Sequence, residues 1–189
     1  MIHIVFCRPS QRMKVFVGSA TGPRELHDFE ANGSAWGDGG SSAPYGHDCQ
    51  IAPGHYKLTR VERINPPIPS EGAGQIYVAD LTGDDYWTLA KNGAAKGISL
   101  ASWSIGGVVA EVGNLGKYSR SEVMLHGGGS NLGEPACFDP DQPLCRTFGC
   151  TRMHNRDLAT LMGLLEPIFA ARNQYVIYSV IGDSPELPR

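Results

Sequence analysis

Two segments of the chain hold residue types that can do chemistry at close range: Leu125-His126-Gly127-Gly128-Gly129-Ser130 and Arg146-Thr147-Phe148-Gly149-Cys150-Thr151-Arg152-Met153-His154-Asn155. The second sets a cysteine directly after a glycine, a few residues ahead of a helical pattern. A thiol so placed is open to close approach by a substrate and to help from local backbone N–H groups. At neutral pH a free thiol is only about 3% thiolate, so such a cysteine needs a nearby imidazole or helix end to act as a nucleophile. His126 is the candidate imidazole. A cysteine–histidine pair with backbone donors for an oxyanion is what acyl transfer through a thioester requires.

Other chemistries find less support. The His-Gly-Gly-Gly run would also suit the oxyanion loop of a serine hydrolase, but the Gly-x-Ser-x-Gly elbow that such enzymes need is missing. Six His and five Cys invite a metal site, yet they form no Cys-x-x-Cys and no His-x-x-x-His, so no metal is expected. No Gly-x-Gly-x-x-Gly follows a strand and no phosphate-loop lysine is present, so no cofactor is expected either. Cys137 and Cys145 share one loop, where a bridge would be worth about 2.5 kcal/mol by loop entropy. A Cys7–Cys49 bridge is the companion possibility, and five reduced thiols are the alternative.

The elements that must position these residues are mostly strands. Ile2 to Phe6 and Met13 to Gly18 read as a hairpin across Arg8-Pro9-Ser10-Gln11-Arg12. Strand signals return at His55 to Val61, Gln75 to Leu81, Gly106 to Val112, Glu122 to His126 and Tyr175 to Ile181, with Pro66, Pro67 and Pro69 enforcing an extended or turning connection. Asn32 to Gly46 is a Gly/Ser-rich loop without periodicity. One helix is predicted, from Asn155 to Ala171, with Leu158, Leu161, Met162, Leu165 and Ile168 on one face. Asn155 is the expected N-cap, and Asp157 faces the positive end of the dipole.

Taken together, the two segments resemble the YkuD-type L,D-transpeptidase family, whose signature is a His-Gly pair at a strand end followed by Ser/Thr-His-Gly-Cys and a short Arg- and Asn-containing run. The matches are His126-Gly127, then Thr147, Gly149, Cys150, Arg152, Met153, Asn155 and Asp157, with Ala52-Pro53-Gly54-His55-Tyr56 as a strand entry of the family's kind. The resemblance spans residue 1 to about 182, and the whole chain, 1–189, reads as a single domain. It implies a mainly β fold: a β-sandwich with one substantial helix after the cysteine. It further implies that Cys150 is the nucleophile, His126 the base, and Gly127 the carbonyl orienting its ring. N–H groups around Gly149 and Cys150 would hold the oxyanion, and Thr147, Arg152 and Asn155 would shape the substrate site.

The implied substrate is a peptidoglycan tetrapeptide stem, cleaved between diaminopimelate and D-alanine. An amine acceptor then gives a crosslink or exchange; water gives a carboxypeptidase. Two departures stand out. Phe148 replaces the family's histidine before Gly-Cys, and 23 residues separate His126 from Cys150, more than usual. Phe148 favours an alternative, a non-catalytic peptidoglycan-binding module with the same fold. The presence of both His126 and Cys150 argues against it. A cysteine peptidase of another architecture would ordinarily place its His downstream of its Cys, the reverse of the order here.

Composition closes off further classes. Of 189 residues, 19% are charged and 41% hydrophobic, unlike a disordered or coiled-coil chain. The 24 Gly and 13 Pro favour short strands joined by turns. A net charge of -3 argues against nucleic acid as a partner. No stretch suits a membrane span, and no obligate protein partner is indicated. The resemblance implies action in the periplasm or at the cell wall. No signal peptide is visible before Arg12, which leaves the delivery route open. Trp36, Trp87 and Trp103 are candidate glycan contacts or core residues.

Overall fold

The computed structural model describes residues 2–19, 22–38, 45, 48–81, 115, 120–171 and 176–182. Among the described residues, eight strands run in the order β1 (Ile2–Cys7), β2 (Arg12–Ser19), β3 (Gly22–Asn32), β4 (Gly54–Ile68), β5 (Gly72–Asp80), β6 (Met124–His126), β7 (Thr151–Met153) and β8 (Val176–Ile181). A 16-residue helix, α1 (Asn155–Ala170), separates the last two. The expected strands at Gly106–Val112, and Trp87 and Trp103, lie outside the described residues.

The β-sandwich is corrected to a closed barrel, with the spatial order β1-β2-β3-β7-β6-β5-β4-β8 and β8 returning to β1. A sandwich leaves strand edges open on two sheets, whereas here each strand has two neighbours. Two parallel joints make the closure. Cys7 pairs with Ile181 and His3 with Ile177 between β1 and β8, while Leu125 pairs with Thr151 and His126 with Arg152 between β6 and β7. The other joints are antiparallel.

Alternation along the strands fills the interior. Ile4, Phe6, Met13, Val15, Tyr56, Leu58, Ile76, Leu125, Met153 and Tyr178 are fully buried in one core. Leu158, Leu161, Met162 and Leu165 on one face of α1 join the same core, as helical spacing predicts. Gly74 faces inward beside Ile76, and a Cβ there would meet Met162 Sδ at 2.7 Å, so the missing side chain admits the helix to the barrel.

β3 was not foreseen. Its sequence, GPRELHDFEAN, carries charge along its length and is largely exposed. What holds it is cross-strand pairing: Lys14 Nζ reaches Glu25 at 2.8 Å, and Arg12 Nε reaches Asp28 at 3.0 Å. β4 runs through Pro66 and Pro67 to Ile68, consistent with the extended connection expected there.

Candidate active site

Strand register places the two sequence segments together. β7 directly follows Cys150, and successive side chains on a strand face opposite ways, so Cys150 and Arg152 project together while Thr151 points into the barrel. The Thr151 hydroxyl lies 3.1 Å from the Tyr178 hydroxyl in the core. His126 pairs with Arg152 across the parallel β6–β7 joint and therefore faces the same side as Arg152 and Cys150. His126, Cys150 and Arg152 all line one cavity of about 500 Å³.

The loop after β6 is built on close approaches. Gly127 N–H donates to Glu71 O at 3.2 Å, Gly128 N–H to Asn155 Oδ1 at 2.9 Å, and Gly129 N–H to Pro69 O at 2.6 Å. A Cβ on Gly127 would fall on Asn155 Oδ1, and Gly128 has a φ of 63°, so both positions favour glycine. The loop holds the His126 ring with its Nδ1 2.8 Å from the Gly127 carbonyl oxygen. The Ser70 backbone also acts on the ring, and it and the Gly127 carbonyl favour the protonated form. Burial outweighs them and, with the charge of Arg152, lowers the imidazole pKa to about 4.

At the thiol the balance tips the other way. Burial holds the Cys150 thiol above its ordinary value, opposed by a hydrogen bond to the Met124 backbone and by the charges of Arg120 and Arg152. Its Sγ also lies 3.6 Å from the Glu122 carbonyl oxygen. Thiol and imidazole are thus both neutral at rest, the sulfur against the Glu122 carbonyl and the ring against that of Gly127, and both line the same cavity.

The remaining predicted residues have specific tasks. Thr147 is buried, and its Oγ1 donates to Cys150 O at 2.6 Å and accepts the Gly149 N–H at 3.0 Å. That hydroxyl fixes the turn before the cysteine, and it commits the Gly149 N–H that the family resemblance assigns to an oxyanion. Arg152 is buried, and its Nη1 donates to Gly128 O at 2.7 Å. Its Nε is buried without a hydrogen-bond partner. Asn155 is the first helical residue rather than the N-cap, which is His154. Its Nδ2 donates to the carbonyls of Cys137 (3.0 Å) and Asp139 (2.8 Å).

All five cysteines are free thiols, so neither Cys137–Cys145 nor Cys7–Cys49 is bridged. The 130–145 loop is instead tied down by Asn155 and by Gln142, a buried side chain that sequence reasoning missed. His154 does not line the cavity; its Nδ1 lies 2.9 Å from the Gln142 carbonyl oxygen. Glu71 and Arg120 also line the cavity unforeseen, because no motif marks a lone acidic or basic residue whose partner is distant in sequence. Phe148 and Trp36 stand at the cavity with 69% and 56% of their surfaces exposed. Among the described residues no cluster of His, Cys, Asp and Glu could hold a metal, and no helix is long and apolar enough to cross a membrane.

No protein-family model and no curated protein matches the sequence. Solved structures do match. The chain is similar to the helical cell shape determining protein Pgp2 from Campylobacter jejuni at 12% identity and a TM-score of 0.52, covering 97% of this chain and 48% of that one. The K307A mutant of Pgp2 gives the same identity and TM-score, with 47% of its chain covered. Bd1075 from Bdellovibrio bacteriovorus is similar at 12% identity and a TM-score of 0.51, over 95% of this chain and 47% of that one. The chain shares their fold. It spans about half the length of each.

Proposed function

We propose that this protein is a cysteine acyltransferase acting on peptidoglycan stem peptides, with Cys150 as nucleophile and His126 as general base. The observation that carries the reading is the shared cavity: register on two adjacent parallel strands turns His126, Arg152 and Cys150 toward one space. The likeness to a cell shape determining protein supports a cell-wall substrate and action in the periplasm or at the wall, since the wall is what holds bacterial shape.

The resting neutral pair sets the mechanism. With Nδ1–H donated to the Gly127 carbonyl, Nε2 is the basic nitrogen. As the Cys150 sulfur bonds to the carbonyl carbon between diaminopimelate and D-alanine, its proton passes to His126. The imidazolium then keeps the Gly127 carbonyl as acceptor at Nδ1, and the Gly127 and Ser70 backbones offset part of the cost of a buried charge. Collapse of the tetrahedral adduct breaks the C–N bond, His126 returns the proton to the departing D-alanine amine, and a thioester remains. An amine or water resolves it, with His126 again taking the proton. Thr147 sets the turn that presents the sulfur, and Asn155 holds the loop that presents the ring. Arg152, whose guanidinium lines the cavity, suits a carboxylate of the stem.

A second reading, a non-catalytic wall-binding module, is favoured by the committed Gly149 N–H and by the raised thiol. Mass spectrometry of a disaccharide-tetrapeptide incubated with the protein and with Cys150→Ala separates the two. The enzyme releases D-alanine or forms a dimer, and the alanine variant does neither. Binding without turnover by both proteins would establish the module.

A further inference from the structure

We propose that Arg120 is the cation that stabilises negative charge on Cys150, taking the place of the imidazole that the family resemblance puts at position 148. The inference deepens the acyltransferase reading and rests on it for its catalytic meaning. Three observations converge. First, the Arg120 guanidinium is half-buried in the wall of the cysteine cavity, where its Nη1 donates to the carbonyl oxygens of Cys49 and, at 3.1 Å, of Gln50. Its Nη2 fills the space that a Cβ on Gly149 would occupy, so the residue before the nucleophile is a glycine with this cation against it.

Second, no imidazole stands at position 148 and the Gly149 N–H is engaged, which leaves the Met124 backbone and the arginine charges as the influences that favour a thiolate. Phe148 carries no charge and lies open to solvent, and the Gly149 N–H is given to Thr147. Third, of the three arginines that line the cavity, Arg120 and Arg152 bear on the thiol, and they act differently. Arg152 pairs in register with His126, and its charge lowers the pKa of both thiol and imidazole, so what it gives the nucleophile it takes from the base. Arg120 lowers the thiol and is not among the influences on His126.

Other charged and titratable groups face the sulfur. Glu71 raises its pKa, while Tyr178 lies beneath it in the core with its own ionisation strongly discouraged by burial. Arg120 is itself pushed down by burial but keeps its proton, as guanidinium does in proteins. Because it acts on the sulfur through its charge and its contact with Gly149, Arg120 is a positioning residue.

The test reads the thiol without any wall substrate. Alkylation of Cys150 by iodoacetamide is followed across pH by mass spectrometry of the Cys150 peptide, in the wild type, Arg120→Lys and Arg120→Gln. The expected midpoint in R120Q is about one pH unit higher, with alkylation at pH 8 about tenfold slower, while R120K stays within about threefold of wild type. A wild-type profile in R120Q, or an equal loss in R120K and R120Q, overturns the proposal. If R120Q does not fold, R120M keeps the aliphatic stem and removes the same charge. Failure of both neutral variants to fold beside a folded R120K would assign the charge to folding and also overturn it. A chain with an Arg120-dependent thiol but no action on stem peptides would refute the acyltransferase reading alone.

Discussion

Gln142 Oε1 accepts the backbone N–H of Asn155 at 2.8 Å, capping α1 from a loop rather than from the helix's own N-cap residue. The amide nitrogen of the same side chain donates to Met153 O at 2.9 Å and to Gly128 O at 3.3 Å. One buried amide therefore joins the end of β7, the start of α1 and the loop after His126. Replacing it with leucine keeps the bulk but takes a partner from the Asn155 N–H and the Met153 carbonyl, while the Gly128 carbonyl keeps the Arg152 guanidinium. Each such group costs about 1–3 kcal/mol, and partial relaxation makes a total loss of about 3 kcal/mol the expected outcome. Urea unfolding of Q142L against wild type measures it, and a loss below about 1 kcal/mol would refute the joining role.

Asn155 makes a related but separable prediction. Its side chain supplies one acceptor to Gly128 N–H and two donors to the carbonyls of Cys137 and Asp139. Asn155→Asp keeps the shape and the acceptor but turns both donors into a charged oxygen facing carbonyls. N155D is expected to lose about 2–4 kcal/mol, whereas a solvated helix cap would tolerate Asp with little change. Thermal and urea unfolding of N155D distinguish the two roles.

The pH dependence of stability follows from the buried imidazoles. Burial, aided by Arg152, lowers His126 to about 4, and burial, aided by His55, lowers His3 to about 3, both from an unfolded value near 6.5. Below pH 6.5 the unfolded chain takes up protons that the folded chain refuses. Stability is therefore fully present above 6.5 and falls as the pH drops toward 4, by up to about 1.4 kcal/mol per unit for each histidine. His126→Gln removes one of these proton uptakes and is expected to flatten the slope between pH 6.5 and 4.5. Urea midpoints at several pH values read this directly, and an unchanged slope would contradict a buried neutral His126.

How much of this was legible in the sequence depends on the range of the interactions. The helix was readable because Leu158, Leu161, Met162 and Leu165 repeat within one local period, and β1, β2, β5 and β8 because their apolar residues are contiguous. Barrel closure was not readable, since Ile4 and Tyr178 bury themselves alike in a sandwich or a barrel. Only the pairing of β1 with β8 and of three-residue β7 with β6 decides between them. β3 was missed because charged pairs across strands, not apolar alternation, stabilise it. At the site, Cys150 and His126 stood out by type and neighbours, and Arg152 through the family resemblance. The parts supplied by Arg120 and Gln142 depend on what the folded chain brings beside them, and no spacing rule encodes that.

The cavity mouth gives a final prediction. Trp36 N–H donates to Thr147 O at 3.0 Å, and Ala35 forms a parallel bridge with Thr147, so Trp36 and Phe148 sit side by side on adjoining backbones. Both rings stay exposed while the cavity behind them is lined by Glu71, Arg120 and Arg152. A charged interior with an aromatic rim suits a substrate with ionic and apolar ends, such as a stem peptide still attached to its sugar. Packing against one aromatic ring is worth about 1–2 kcal/mol, so Trp36→Ala and Phe148→Ala should each raise KM for a disaccharide-tetrapeptide by about tenfold and leave kcat near wild type. On the free tetrapeptide the same variants should show a smaller change in KM, because the sugar that the rings contact is gone. Steady-state kinetics on the two substrates make the comparison. A fall in kcat with unchanged KM on both would place the rings in the chemical step and remove the rim from substrate binding.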